Sequence, residues 1–306
     1  MAPTGPGASD LRSGPHRGLG EGPRVVALGG GHGLAATLSA VRRYAGDITA
    51  VVSVADDGGS SGRLRDTLGI PAPGDLRKCL VALGDPDSLW VDAFEYRFPA
   101  GELEGHALGN LVLSGLAGVA GDFQGALAEA GRLVRAVGRV LPATTVPVVL
   151  KATSAGGEVE GQVAVASAGR IAAVSVVPPD APAPAEAVEA VMRADQVVIG
   201  PGSLFTSILA VVAVPAVREA LARTRARKIY VCNLRPQVPE TSGYDVAAHL
   251  DALSAHGLEV DAVVCDLTEM DLGPVSIPCM EAALGRADGP GHDPDRLAAV
   301  LSDLVG

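Results

Sequence analysis

The sequence predicts an α/β protein, with a Rossmann-like, mostly parallel sheet, helices on both faces and a small antiparallel β insertion. Three observations carry this. Short apolar runs alternate with stretches of helical spacing along most of the chain. Two of the runs, Val25–Leu28 and Val197–Ile199, lead into glycine-rich turns and then into helical periodicity. Of the 306 residues, 48% are hydrophobic, yet there are only one Trp, four Tyr and four Phe. A core built mostly of Ala, Val and Leu suits helices packed on a parallel sheet.

The first 22 residues are rich in Gly and Pro and lack an apolar segment, so they read as a disordered tail rather than a secretory signal. Residues 23–306 then form one α/β domain. Arg24 to Leu28 is the first strand. Leu34, Leu38 and Val41 mark a helix after the first glycine turn. Ile48 to Val54 is the second strand, and a loop of Asp, Gly and Ser residues follows as far as Gly62. Gly74-Asp75 opens a helix with Asp75 as its N-cap and Leu76, Leu80 and Leu83 on one face. Leu108 to Val119 is a buried helix.

Beyond Pro142 the pattern changes. Val146 to Val177 carries β-branched runs, partial alternation and turn signals, and marks the antiparallel insertion within about residues 143–178. Alternation of helix and strand then resumes with a helix at Ala185–Arg193 and strands at Gln196–Ile199, Lys228–Cys232 and Val260–Cys265. The apolar stretch Ile208–Val217 reads as a buried helix that ends at Pro215. A further helix lies near Val246–His256.

Composition narrows the function. The formal net charge of −11 disfavours a broad phosphate-backbone footprint, so nucleic acid is not expected as a partner. Cys79, Cys232, Cys265 and Cys279 form no CxxC pair, as suits a reducing cytosol. No apolar run reaches membrane-spanning length.

The two glycine turns are the strongest site signals. In Gly29-Gly30-Gly31-His32-Gly33-Leu34-Ala35-Ala36, the portion from Gly31 fits G-x-G-x-x-A between a strand and a helix. Gly30, Gly31 and Gly33 let a phosphate approach the backbone at a helix N-terminus, and His32 lies in the same loop. The plainer reading is a tight β–α turn. In Gly200-Pro201-Gly202-Ser203-Leu204-Phe205-Thr206, the glycines and the hydroxyls of Ser203 and Thr206 either receive an anion or cap the helix. Two such sites suggest a ligand with two ends to hold.

Asp56 ends the second strand where dinucleotide folds place an acid on a ribose. Asp57 follows, and the pair is also suited to Mg²⁺ beside phosphate oxygens, with Asp57 as metal ligand. The rival reading is an Asp-Gly turn. Ser60 adds a hydroxyl. Asn110 either reads a base or sugar or caps its helix. Asn233 follows a buried strand at the edge of the crevice. Arg77 and Lys78 are either phosphate contacts or solvated helix charges. No catalytic triad can be assembled from spacing, so no catalytic residue is named.

Together these segments resemble the gluconeogenesis factor family of the YvcK type, within the CofD-like superfamily. Gly29–Leu34 is similar to that family's GGGTGL opening. Val54–Arg65 matches its VADDGGSSGRLR segment. Pro73-Gly74-Asp75, Leu108-Gly109-Asn110-Leu111 and Ile199–Leu204 also match. The likeness runs from Arg24 to about Asp266. It departs at His32, usually Thr, at Phe205, usually Tyr, and at Ser242, usually Asp. The resemblance implies a cytoplasmic protein that binds a UDP-sugar, UDP-N-acetylglucosamine among them, needs no cofactor, and links gluconeogenic growth to cell-envelope synthesis and cell shape. An envelope-precursor enzyme and a second copy of the chain are the implied protein partners. The alternative is a Mg-dependent transferase like the superfamily's 2-phospho-L-lactate transferase.

Overall fold

The computed structural model describes residues 20–305. The first half of the chain contains β1 (Arg24–Gly29), α1 (Gly31–Val41), β2 (Asp47–Val52), α2 (Gly59–Leu68), α3 (Gly74–Leu83), α4 (Leu89–Glu95), α5 (Leu108–Ala120), α6 (Phe123–Leu133) and β3 (Arg139–Pro142). The insertion supplies β4 (Val149–Ser154), β5 (Gly157–Glu160), α7 (Gln162–Ser167) and β6 (Ile171–Val177). Next come α8 (Ala185–Arg193), β7 (Gln196–Ile199), a π-helical turn (Leu204–Ile208), α9 (Leu209–Val212), α10 (Pro215–Arg223) and β8 (Arg227–Val231). Last are α11 (Val246–Ala255), β9 (Ala262–Cys265), β10 (Cys279–Glu281) and α12 (Pro294–Asp303).

Seven strands form one sheet in the order β10-β9-β8-β7-β1-β2-β3. Every neighbouring pair is parallel. Helices cover the sheet, so β7 and β9 are buried along their whole length and β1 and β2 beyond their first residue. This is why they read as continuous apolar runs. The chain winds outward from β1 through β2 to β3, then returns to β7 on the other side of β1. The strand order therefore reverses between β1 and β7, and open α/β sheets bind ligands in the crevice outside such a point. Both glycine turns sit there.

Leu34 and Leu38 on α1 are fully buried, each contributing roughly 1.5–3 kcal/mol of transfer free energy. At the end of α1, the Arg42 guanidinium donates to the carbonyls of Ala82 and Gly84, both at 3.0 Å, and so pins α1 to α3. α12 packs against α1 from a remote part of the sequence. The insertion is a separate antiparallel sheet, β5-β4-β6. Its helix α7 packs on the π-helical turn after the second glycine loop.

Several expectations need correction. Of the expected tail, residues 1–19 lie outside the described residues, and Gly20 is tied to the domain through its N–H to the Gly46 carbonyl. The loop after β2 is shorter than expected because α2 starts at Gly59. Pro215 opens α10 at its first turn rather than merely ending a helix, and the chain bends by 78° between Leu204–Val212 and Pro215–Arg223. A proline needs no N–H at a helix start. α5 is buried on one face only, with Val119 fully in solvent. Among the described residues no single helix is long and apolar enough to cross a membrane.

Candidate functional site

The two glycine loops touch. A side chain at Gly33 would run into the Pro201 carbonyl and the Gly202 Cα. Thr37 Oγ1 donates to the Gly200 carbonyl at 2.6 Å. Asn233 holds Gly202 from the other side: its Oδ1 accepts from the Gly202 N–H and its Nδ2 donates to the Gly202 carbonyl, both at 3.0 Å. Gly30, Gly31, His32, Gly33, Gly200, Gly202 and Asn233 therefore share one floor at the strand-order reversal, rather than forming two separate anchor points. Gly31 has φ +64° and Gly202 φ +145°, a region that residues with a Cβ avoid.

The loops differ in what meets their N–H groups. α1 has Gly30 at its N-cap and no side-chain cap. Its first-turn N–H groups and the positive end of its dipole face the crevice. The second loop is filled from within. Glu240 is almost fully buried, and its Oε1 accepts from the N–H of Phe205 at 2.9 Å and of Thr206 at 3.0 Å. Burial pushes the Glu240 carboxyl above its usual range, while these two N–H groups pull it down. The hydroxyls of Ser203 and Thr206 do not cap the turn, and Thr206 Oγ1 is buried without a hydrogen-bond partner.

The wall above the first loop comes from α2, α3 and α5. Asp75 is not the N-cap of α3, a place taken by Pro73. Its carboxylate instead lies against Gly30, and Lys78 Nζ donates to it at 3.1 Å. Lys78 is thus a half-buried member of the site. Its ammonium is the main cause that holds His32, on the first turn of α1, below the ordinary histidine value, with burial adding to the effect and Asp75 opposing it. Arg77 belongs to neither expected role. It is buried and donates to the Phe94 carbonyl at 3.0 Å and to the Glu95 carboxylate.

The adjacent acids separate in role. Asp56 Oδ1 accepts from the Gly58 N–H at 2.9 Å. Its carboxyl is raised chiefly by burial and further by Asp75, with the Gly58 N–H opposing. Asp57 Oδ1 accepts from the Val163 N–H at 2.9 Å, across to α7 of the insertion. Among the described residues no three His, Cys, Asp or Glu side chains gather as a metal ligand set.

Ser60, on the first turn of α2, meets two partners. Asn110 Nδ2 donates to its Oγ at 3.0 Å, and its Oγ lies 2.9 Å from His106 Nδ1. Asn110 does not cap α5, whose N-cap is Ala107. Its Oδ1 is buried and unpartnered, an acceptor suited to an N–H donor. Burial, with Arg63 adding to the effect, holds His106 below the ordinary value.

Asp75 and Glu240 went unmarked as site residues. The Pro73-Gly74-Asp75 segment carried a signal for Asp75. Glu240 had none in spacing, because its role depends on contacts with residues 35 and 34 positions away.

The sequence profile of the family described as 2-phospho-L-lactate transferase CofD matches residues 25–276. The gluconeogenesis factor of Bacillus subtilis (strain 168) is 42% identical over 241 residues, covering 78% of this chain and 76% of that protein. The gluconeogenesis factor of Halalkalibacterium halodurans is 43% identical over 235 residues, covering 76% and 73%. A relative from Nostoc sp. (strain PCC 7120) is 44% identical over 243 residues, but the match spans only 53% of that protein. A crystal structure of a UPF0052 family member from Bacillus halodurans superposes with a TM-score of 0.87 at 35% identity, covering 92% of this chain and 98% of that one. With the strand order, the paired loops and these likenesses in agreement, the chain belongs to the CofD family, among its gluconeogenesis factors.

Proposed function

We propose that this protein binds a nucleotide-linked sugar, with UDP-N-acetylglucosamine as the leading ligand, and acts in the cytoplasm as a regulator rather than a catalyst. In this reading it links carbon supply during gluconeogenic growth to cell-envelope synthesis and cell shape. It would do so through an envelope-precursor enzyme or a second copy of itself. The observation that supports ligand binding most is the first turn of α1, presented without a side-chain cap at the strand-order reversal. A diphosphate on Gly30, Gly31 and Gly33 would receive N–H groups and the helix dipole. Asp56 and Asn110 flank that point and offer acceptors to hydroxyl and N–H groups of a ribose and a base.

The test is thermal stabilisation with UDP-N-acetylglucosamine, UDP, GTP and NAD side by side. At about 100-fold excess over Kd, linkage gives roughly 2.7 kcal/mol, a shift of several degrees. UDP-N-acetylglucosamine should give the largest shift. A larger shift with NAD would defeat the reading.

The family description supports a second reading, a transferase that uses Mg²⁺ with Asp57. The ion would find one free carboxylate oxygen on Asp57 and would draw its other ligands from phosphates and water. Product formation from nucleotide-linked donors with Mg²⁺, parent against Asp57→Asn, decides it. Multiple turnovers in the parent that vanish in the variant would favour the transferase.

A further inference from the structure

Three of the four cysteines lie on or just beyond neighbouring strands of the sheet. Cys232 follows β8, Cys265 ends β9 and Cys279 begins β10, while Cys79 lies apart on α3. Cys265 Sγ and Cys279 Sγ are 3.0 Å apart, and both are free thiols. In the β9–β10 register Cys279 stands opposite Val263, and Glu281 opposite Cys265. The two thiols therefore share a face and meet across a diagonal of the ladder. The segment between them is tied at both ends. Asp266 accepts from the Thr268 N–H at 3.0 Å on its own side, and from the N–H groups of Leu284 at 2.7 Å and Gly285 at 3.2 Å beyond β10. β10 has three residues and lies at the sheet edge with one neighbour, so it can draw in by the further ~1 Å that a disulfide needs.

We infer that Cys265 and Cys279 form a reversible intramolecular disulfide when the protein meets a hydroperoxide. The half-buried Cys279 reacts first, because burial pushes the Cys265 thiol well up and the thiolate is the nucleophile. Cys279 sulfur attacks a peroxide oxygen. The O–O bond breaks, a sulfenic acid forms, and the leaving oxygen departs as water or an alcohol. Cys265 sulfur then attacks the sulfenic sulfur. The S–S bond forms, the S–O bond breaks, and the hydroxide leaves as water with the Cys265 proton. Two thiols are oxidised and one peroxide is reduced. A dithiol reductant reverses the change.

The experiment treats the full chain with hydrogen peroxide, then counts thiols under denaturing conditions and maps peptides by mass. The expected result is a fall from four free thiols to two, a mass lower by two hydrogens, and one crosslinked peptide that joins Cys265 to Cys279. Dithiothreitol should restore all four. Cys279→Ser and Cys265→Ser should each form no intramolecular crosslink, and Cys79→Ser should behave as the parent does. Four surviving thiols would overturn the proposal. So would oxygen gain without a crosslink, or a disulfide that uses Cys79, Cys232 or another chain.

Discussion

The loop after β1 and the loop after β7 share one plan of strand, glycines and helical turn, yet they end differently. The first delivers the N-terminus of an eleven-residue helix that no side chain caps with a hydrogen bond, although the Asp75 carboxylate lies beside it. The second delivers a π-helical turn whose N–H groups are already held by Glu240. A strand–glycine–helix pattern therefore shows where an anion can be held, but not whether the anion is a ligand or part of the chain. In the proposed reading the first loop receives the ligand, and the second, filled by Glu240, serves as its floor. Asn233, Thr37 and the close approach of Gly33 to Pro201 lock that floor in place.

The sharpest way to break this contrast is at the contact between the loops. Gly33→Val puts a side chain into the Pro201 carbonyl, and backbone cannot step aside as a side chain can. The expected cost exceeds about 3 kcal/mol, read as a lower urea midpoint or loss of folded protein. Full stability would mean that the loops are not one unit.

Glu240→Ala comes next. It strips two buried N–H groups of their acceptor, at a cost of about 2 kcal/mol. Sulfate should then stabilise the variant more than the parent, because the turn regains an anion. Equal sulfate effects in both proteins would contradict the idea that Glu240 stands in for one. Glu240 also carries a pH signature. Its folded-state value is raised by burial, so the stability it contributes is full below the unfolded value and is lost as pH rises through the folded value. Glu240→Gln should remove that slope from the melting profile.

Asp57→Ala tests the tie from the β2 loop to α7. Loss of one acceptor at the start of α7 should cost about 1 kcal/mol, with faster amide exchange at Val163. Unchanged exchange there would rule out a latch.

The smallest effect concerns the first loop itself. His32 is held low chiefly by Lys78. A phosphate on the first turn of α1 would favour the imidazolium, so binding should take up a proton. Affinity should rise by about threefold from about pH 8 to about pH 6. His32→Thr should flatten that dependence, and a pH-independent Kd in the parent would place the phosphate elsewhere.

Much of the fold was legible because inner strands of the central sheet are covered on both sides. Arg24–Leu28 and Gln196–Ile199 therefore stand out as apolar runs, and the insertion stands out by its alternation. The site was legible where glycine marks a close approach of backbone, as at Gly31 and Gly202. It was not legible where function depends on a partner far along the chain. Asp75 looks like a helix cap, yet its carboxylate faces Gly30. Asp57 looks like a turn residue or a metal ligand, yet it bonds to an N–H 106 residues away. β10 and α12 went unrecognised because the segment after Asp266 has short, weakly patterned elements whose partners are distant strands and helices.

The packing of α12 on α1 sets an order of events during synthesis. The Arg43–Asp295 ion pair at this junction joins residues 252 positions apart. At a translation rate of ~5–20 residues per second, roughly 10–50 s separate the two helices on the ribosome. Through that interval the nascent chain exposes the apolar flank of α1 that α12 will later cover. The helix that the first glycine loop opens is thus made well before the helix that clamps it.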